Sequence, residues 1–206
     1  ENPLYQRNLS ISYIKIGDTQ AAAGDGKAAL DSYKKSLTIF ERLTQQAPGN
    51  AEWQRELSVS YDRIGSIQAV AGERKAALAS HQKALANIER LAQQDPNNVS
   101  WQRDLSVSYN NIGDTQVAAG DVKAALDLYQ RALAIRERLA QQDPGNAQWQ
   151  RDLSVSYEKI GGSQAAAGDG KASLASYQQS LANFERFAQQ DPSNAQWQND
   201  LSITCE

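Results

Sequence analysis

Cysteine, histidine and methionine are almost missing from this chain: 206 residues hold one, one and none of them. A lone thiol at Cys205 cannot close an intramolecular disulfide, which suits a reducing, cytoplasmic setting. One histidine and one cysteine cannot supply a zinc site or a Cys–His nucleophilic pair, so no metal and no other cofactor is expected. No apolar run approaches the ~20 residues that span a bilayer, and no secretory leader is visible. Basic residues are not in excess: 21 Lys and Arg stand against 24 Asp and Glu, a formal charge of −3, with no basic run. That balance excludes the field that nucleic-acid binding needs.

What the chain has in quantity is repetition. WQRDLSVSY occurs at 101–109 and again at 149–157, with WQRELSVSY at 53–61 and the weaker YQRNLSISY at 5–13. Trp53, Trp101, Trp149 and Trp197 stand 48 residues apart, and the same step backwards reaches Tyr5. Residues 99–146 and 147–194 share 31 of 48 positions. Each unit also repeats an Ile-Gly pair, a glycine turn (Gly24, Gly72, Gly120, Gly168) and a closing proline (Pro48, Pro96, Pro144, Pro192). A fixed period of this length marks stacked modules with one continuous core. The units run about 3–50, 51–98, 99–146 and 147–194, with a partial fifth at 195–206, as a single array over 1–206. The ends, ENPLYQRN and WQNDLSITCE, both fall inside the repeated phrase, which reads as a piece of a longer array or of a larger protein.

Within a unit the apolar positions follow a helical period. Trp53, Leu57, Tyr61 and Ile64 lie on one helix face; Ala77, Leu78, His81, Ala84, Leu85, Ile88 and Leu91 lie on another. Asn50 is placed to cap the first helix, Gly72 to stop it, and Pro96 to prevent the second from continuing. Each unit is therefore expected to be two antiparallel helices, A near 3–23, 51–71, 99–119 and 147–167, and B near 26–46, 74–94, 122–142 and 170–190. A last, incomplete helix is expected near 195–205.

The stretch RIGSIQAVAGERKAALASHQKAL, from Arg63, resembles the core of a tetratricopeptide repeat. Gly65 takes the place of the close-packing glycine, Gly72 that of the turn, and Ala77 and Ala84 those of the two small residues of helix B. His81 takes the place of the aromatic between them, where other units have Tyr33, Tyr129 and Tyr177. The resemblance covers essentially the whole chain and implies an all-α, α-α superhelix: a right-handed solenoid of helix pairs. Two departures stand out. A glutamine (Gln20, Gln68, Gln116, Gln164) replaces the aromatic of helix A, and the period is 48 instead of 34. Seven added residues per helix are about two turns, which leaves the apolar face nearly in register. WQRDL supplies the added turns of helix A, and IERLAQQ those of helix B. Such lengthened repeats are similar to those of bacterial arrays of the family and of kinesin light chain.

The resemblance implies a non-catalytic scaffold that binds a protein or peptide in a concave groove lined by the A helices. Candidate groove residues are Val59, Val107 and Val155, with Asp62, Asn110 and Glu158 near them. One turn earlier runs an arginine column, Arg7, Arg55, Arg103 and Arg151. Beside the valines it suits an acidic, partly apolar peptide; the alternative is that each arginine pairs with a carboxylate of a neighbouring helix, such as Asp104 or Asp152. The residues that clamp the chaperone carboxylate in some family members are replaced here by Ile14, Asp18, Arg63, Val107 and Asn111, so no such clamp is expected. The tryptophans are expected in the inter-repeat core, and the glutamine column in a buried hydrogen-bond ladder between units. GDGKA lacks the Ser or Thr that a phosphate loop places after lysine. Two other functions fit the same residues: a structural array that self-associates through uncapped ends into a homo-oligomer, and a regulatory or sensor segment of a larger bacterial signalling protein.

Overall fold

The computed structural model describes residues 2–190; the expected helix near 195–205, with Trp197 and Leu201, lies outside them. The described chain is all-α. Its helices are α1 (Pro3–Ala22), α2 (Gly26–Gln46), α3 (Ala51–Val70), α4 (Arg74–Gln94), α5 (Val99–Ala119), α6 (Val122–Gln142), α7 (Ala147–Ala166) and α8 (Gly170–Gln190). Every boundary falls within one residue of the sequence expectation, because the boundaries are chemically marked. Asn50, Asn98 and Asn146 each accept the amide of the tryptophan three residues on, at 3.1, 3.2 and 3.2 Å. Asp25, Asp121 and Asp169 do the same for the B helices α2, α6 and α8. Each cap satisfies one of the amide donors a helix start leaves open. Glu73, one atom longer at the matching place, makes no side-chain cap bond. The four turn glycines have φ of +81°, +78°, +87° and +83°, a region that favours glycine.

The chain divides into two compact units, residues 1–115 and 116–206. In the first, Ser10 contacts Ser36 while Gln20 contacts Ser32, so α1 and α2 run antiparallel. The pairs Tyr61–Glu41 and Gln54–Pro48 give α2 and α3 the same relation. The core here gathers Ile14, Ala29, Tyr33, Phe40, Leu43, Leu57 and Ile64, with Trp53 half-buried against it. Full burial of a side chain such as Phe40 or Leu43 stabilises by about 1.5–3 kcal/mol. In the second unit α6 packs on α7 and α7 on α8, around Ala125, Tyr129 and Ile160.

The serines of LSVS explain why the phrase tolerates so little change. Ser10, Ser106 and Ser154 and then Ser60 and Ser156 are fully buried, where small side chains let the helices approach. Ser10 Oγ lies 2.8 Å from Ser36 Oγ, which lies 3.2 Å from Ser60 Oγ, a polar seam across α1, α2 and α3. The Gln of WQR is also buried. Gln54 donates its amide to the Pro48 carbonyl, Gln102 to that of Ala92, and Gln150 to those of Ala140 and Pro144. The bonds to Ala92 and Ala140 close the open carbonyl end of the preceding B helix, and those to Pro48 and Pro144 hold the turn that follows it.

The other glutamine column does not form the expected ladder between units. Ser32, Ser80 and Ser176 donate to Gln20, Gln68 and Gln164 at 2.7, 2.7 and 2.8 Å, each from the B helix of the same pair. The amide finds a hydroxyl twelve residues on, across its own turn, before it reaches a neighbouring repeat. These glutamines are half-buried.

Candidate functional site

In the first unit, α3 and α5 border a cleft of about 360 Å³. Val59, Val107 and Ile88 of α4 line it with apolar surface, and Arg55, Arg63, Arg103, Asp62 and Asp104 line it with charge. Of the expected groove residues, Arg55, Val59, Asp62, Arg103 and Val107 therefore share one site. Asn110 does not join them. It is 4 % exposed and turned into the packing, and its neighbour Asn111 lines the cleft instead. Arg7 lies one repeat away in the same unit, while Arg151, Val155 and Glu158 belong to α7 of the second unit, each half-buried. Glu158 accepts the Ser180 hydroxyl at 3.2 Å.

The arginines are tied to the adjacent A helix. Arg7 pairs with Glu52, Arg55 Nε donates to Asp104 Oδ2 at 2.5 Å, and Arg63 Nε lies 3.1 Å from Asp18 Oδ1. The bond to Asp104 raises the Arg55 pKa against the opposing effect of burial. Burial in turn pushes the Glu56 carboxyl up, while Arg55 and Arg7 pull it down. Pairing of Arg7 and Arg55 with neighbouring helices thus follows the second of the two readings of that column. Arg55 spends only Nε in a hydrogen bond; its further ion pair, to Glu56, is 3.9 Å long.

A histidine, an aspartate and a serine also meet at this cleft. His81 Nδ1 lies 3.1 Å from Asp62 Oδ1, and Ser108 Oγ donates to Asp62 Oδ2 at 3.1 Å. A hydrolytic triad needs the imidazole between serine and carboxylate, to take the serine proton. Here both groups bond to one carboxylate, and His81 is 2 % exposed. The arrangement ties α4, α3 and α5 together and does not activate the serine.

A tyrosine column links each A helix to the B helix before it. The hydroxyls of Tyr61, Tyr109 and Tyr157 donate to Glu41, Glu89 and Glu137 at 2.7, 2.9 and 2.9 Å. Burial, and then these bonds, push the Tyr61 and Tyr157 phenols up to about 12. An unfolded tyrosine titrates near ~10, so the fold favours the protonated phenol. Its contribution to stability is complete below pH ~10 and is lost as pH rises toward 12. We expect the urea midpoint to fall between pH 10 and 11.5, and to fall less steeply in a Tyr61→Phe/Tyr157→Phe variant. Equal slopes in the two proteins would remove these phenols as the cause.

Residues 105–144 match a family model described as tetratricopeptide repeat. The matched segment recurs through the chain at the 48-residue step, with the glycine, turn and small residues of the motif in each unit. Residues 105–144 are thus a tetratricopeptide repeat. The crystal structure of BtubC (BKLC) from P. vanneervenii superposes with a TM-score of 0.71 over 93% of this chain and 67% of that one, at 20% sequence identity. The apo form of RapI superposes with a TM-score of 0.69 at 12% identity, over 91% of this chain. The chain spans 60% of the length of RapI. Among curated proteins none matches the sequence. At these identities the structural likeness carries the fold alone, a helical repeat. No helix of the described residues is long and apolar enough to cross a membrane.

Proposed function

We propose that this chain is a non-catalytic scaffold that holds an extended segment of a partner protein along its A helices, with an acidic, partly apolar stretch seated between α3 and α5. The cleft itself supports this reading: its lining combines apolar Val59, Val107 and Ile88 with Arg55, Arg63 and Arg103. A branched apolar side chain suits the apolar lining, and a carboxylate suits the arginines. Arg55 supports that role because a guanidinium has five donors and only its Nε is spent in a hydrogen bond. The volume lies within the range of ligand clefts, about 300–1,000 Å³. The period continues without a break across residue 115, which supports reading residues 1–206 as one array that offers such sites in series.

The test is selection from a diverse peptide library on the immobilised chain, in parallel with Arg55→Glu and Val107→Glu variants checked for helicity by circular dichroism. Enrichment of acidic-apolar peptides by the parent chain is expected, with at least a tenfold loss in each folded variant. Peptides retained equally by both variants would place binding elsewhere, and no enrichment at all would overturn the groove reading.

A further inference from the structure

Two hydrogen bonds across the cleft fix how its walls are aligned. Arg55 Nε donates to Asp104 Oδ2 at 2.5 Å, and one repeat motif further along the same helices Ser108 Oγ donates to Asp62 Oδ2 at 3.1 Å. Later residues of α3 thus meet later residues of α5, so the two helices run in the same direction. Arg55 is level with Arg103, Val59 with Val107, and Arg63 with Asn111; all six line the cleft. Successive levels are four residues apart, a rise of about 6 Å on a helix. In an extended chain every second side chain points the same way, at a spacing of about 6.6 Å. The two spacings nearly coincide, so an extended segment lying along α3 and α5 sets alternate side chains at successive levels. A helix, about 10–12 Å across with its side chains, does not enter between two helices that bond to each other directly.

The levels differ in charge. At the first, the lining holds two arginines and one carboxylate, Asp104; Glu56, 3.9 Å from Arg55 Nη1, is outside the lining. The second level is apolar. At the third, Arg63 gives Asp18 its Nε at 3.1 Å and its Nη2 at 3.5 Å, and Asp62 lines the cleft beside it. A carboxylate on a ligand is favoured at the first level and opposed at the third. We propose that the segment held here carries an aspartate or glutamate and, two positions away, a valine, leucine or isoleucine. The acid sits between Arg55 and Arg103, toward the N-terminal ends of the A helices, and the apolar residue between Val59 and Val107. Either chain direction satisfies the spacing. This specificity rests on the groove reading and adds to it a register and an extended conformation.

The probes are dodecapeptides that the parent chain selects from a random library, and derivatives in which the acid is moved one position at a time relative to the apolar residue. Binding to the full chain is followed by anisotropy of a dye on the peptide. A two-residue spacing is expected among the selected peptides. A shift of the acid by one position turns it to the opposite face and should weaken binding at least tenfold. This series uses the unaltered chain, so no variant need fold for it. A double-mutant cycle then tests the register. Arg55→Gln in the chain and the acid replaced by its amide in the peptide should together cost little more than either alone, whereas Val59→Ala and the same amide should add. A preferred spacing of three or four would mean a helical occupant, and no fixed spacing a chain that crosses the helices; either overturns the proposal. So does additivity in the Arg55 cycle. Those results leave the groove reading standing where Val107→Glu still abolishes binding. Peptides retained equally by Val107→Glu, or none selected at all, would overturn both.

Discussion

Gly65→Ala is expected to destabilise the chain by about 1–3 kcal/mol, although the same change in an open helix stabilises by about 1 kcal/mol. A β-carbon at Gly65 would stand 2.6–2.8 Å from three atoms of the His81 ring. The ring has nowhere to go: it is 2 % exposed and bonded to Asp62. Moving it breaks that bond, a loss of about 1 kcal/mol beyond the overpacking. Gly17→Ala should behave alike, since its β-carbon would meet the Tyr33 ring at 2.5–2.9 Å and Tyr33 is 2 % exposed. Gly161→Ala is the internal control. There the contacts are 3.1–3.2 Å and Tyr177 is 39% exposed, so the ring can yield and the helix-propensity gain should leave the change near neutral. Urea midpoints of the three variants, with Gly65→Ala/His81→Ala added, decide the matter. The double variant should recover part of the loss, because the smaller side chain makes room for the methyl group. If all three alanines stabilise equally, the glycines are not held by close approach.

These glycines also show what the sequence discloses and what it conceals. The helix boundaries were legible because each is marked by a residue with a local reason to be there: Asn50 before a helix, Gly72 with φ of +78° after it. The packing face was legible too, since Leu57, Ile64, Ala77, Ala84 and Ile88 recur at helical spacing and are all buried. Side-chain polarity was the less certain guide. Gln54 and Gln68 are fourteen residues apart on one helix, yet one donates to the Pro48 carbonyl in the turn after α2 and the other accepts from Ser80 across its own turn. Nothing in residue type separates them; the distance to the nearest unsatisfied carbonyl does, and that is a property of the stacked structure. The arginine column posed the same difficulty. Its spacing allowed both a ligand and a neighbouring carboxylate, and the carboxylate that meets Arg55, Asp104, stands forty-nine residues away. The buried serines of LSVS carried a signal that was available, a small polar residue recurring on the apolar side, whose meaning depends on how closely the next helix approaches.

Arg136 is the position where the repeat departs furthest from its own rule, and replacing it should show what that departure costs. Its counterparts are Phe40, Ile88 and Phe184, all apolar and almost wholly buried. Arg136 is itself 5 % exposed, and its Nη1 donates to the Asp152 carbonyl at 2.6 Å and to Ser156 Oγ at 2.9 Å. Desolvating a guanidinium costs several kcal/mol, against which its interactions, those with Asp152 and Ser156 among them, must work. Arg136→Ile is therefore expected to raise stability by about 1–3 kcal/mol, since apolar replacements of buried charged groups are often neutral or stabilising. Ile88 shows that the repeat accommodates this side chain. The acceptors left behind are not stranded, because the Ser156 hydroxyl already donates to the Asp152 carbonyl at 3.4 Å. Arg136→Ala should fall below the isoleucine variant by about 2–5 kcal/mol, the cost of a cavity in a packed interior. The order of urea midpoints, isoleucine above arginine above alanine, tests both statements. An arginine protein more stable than the isoleucine variant would mean that its bonds to α7 outweigh desolvation. If the expected order holds, Arg136 is kept at a loss of stability, at the level of the helix pair where Ile88 lines the first unit's cleft. On the proposed groove reading its use would then lie on the A-helix face of α7, and a peptide selected by the parent chain should discriminate between arginine and isoleucine at this position.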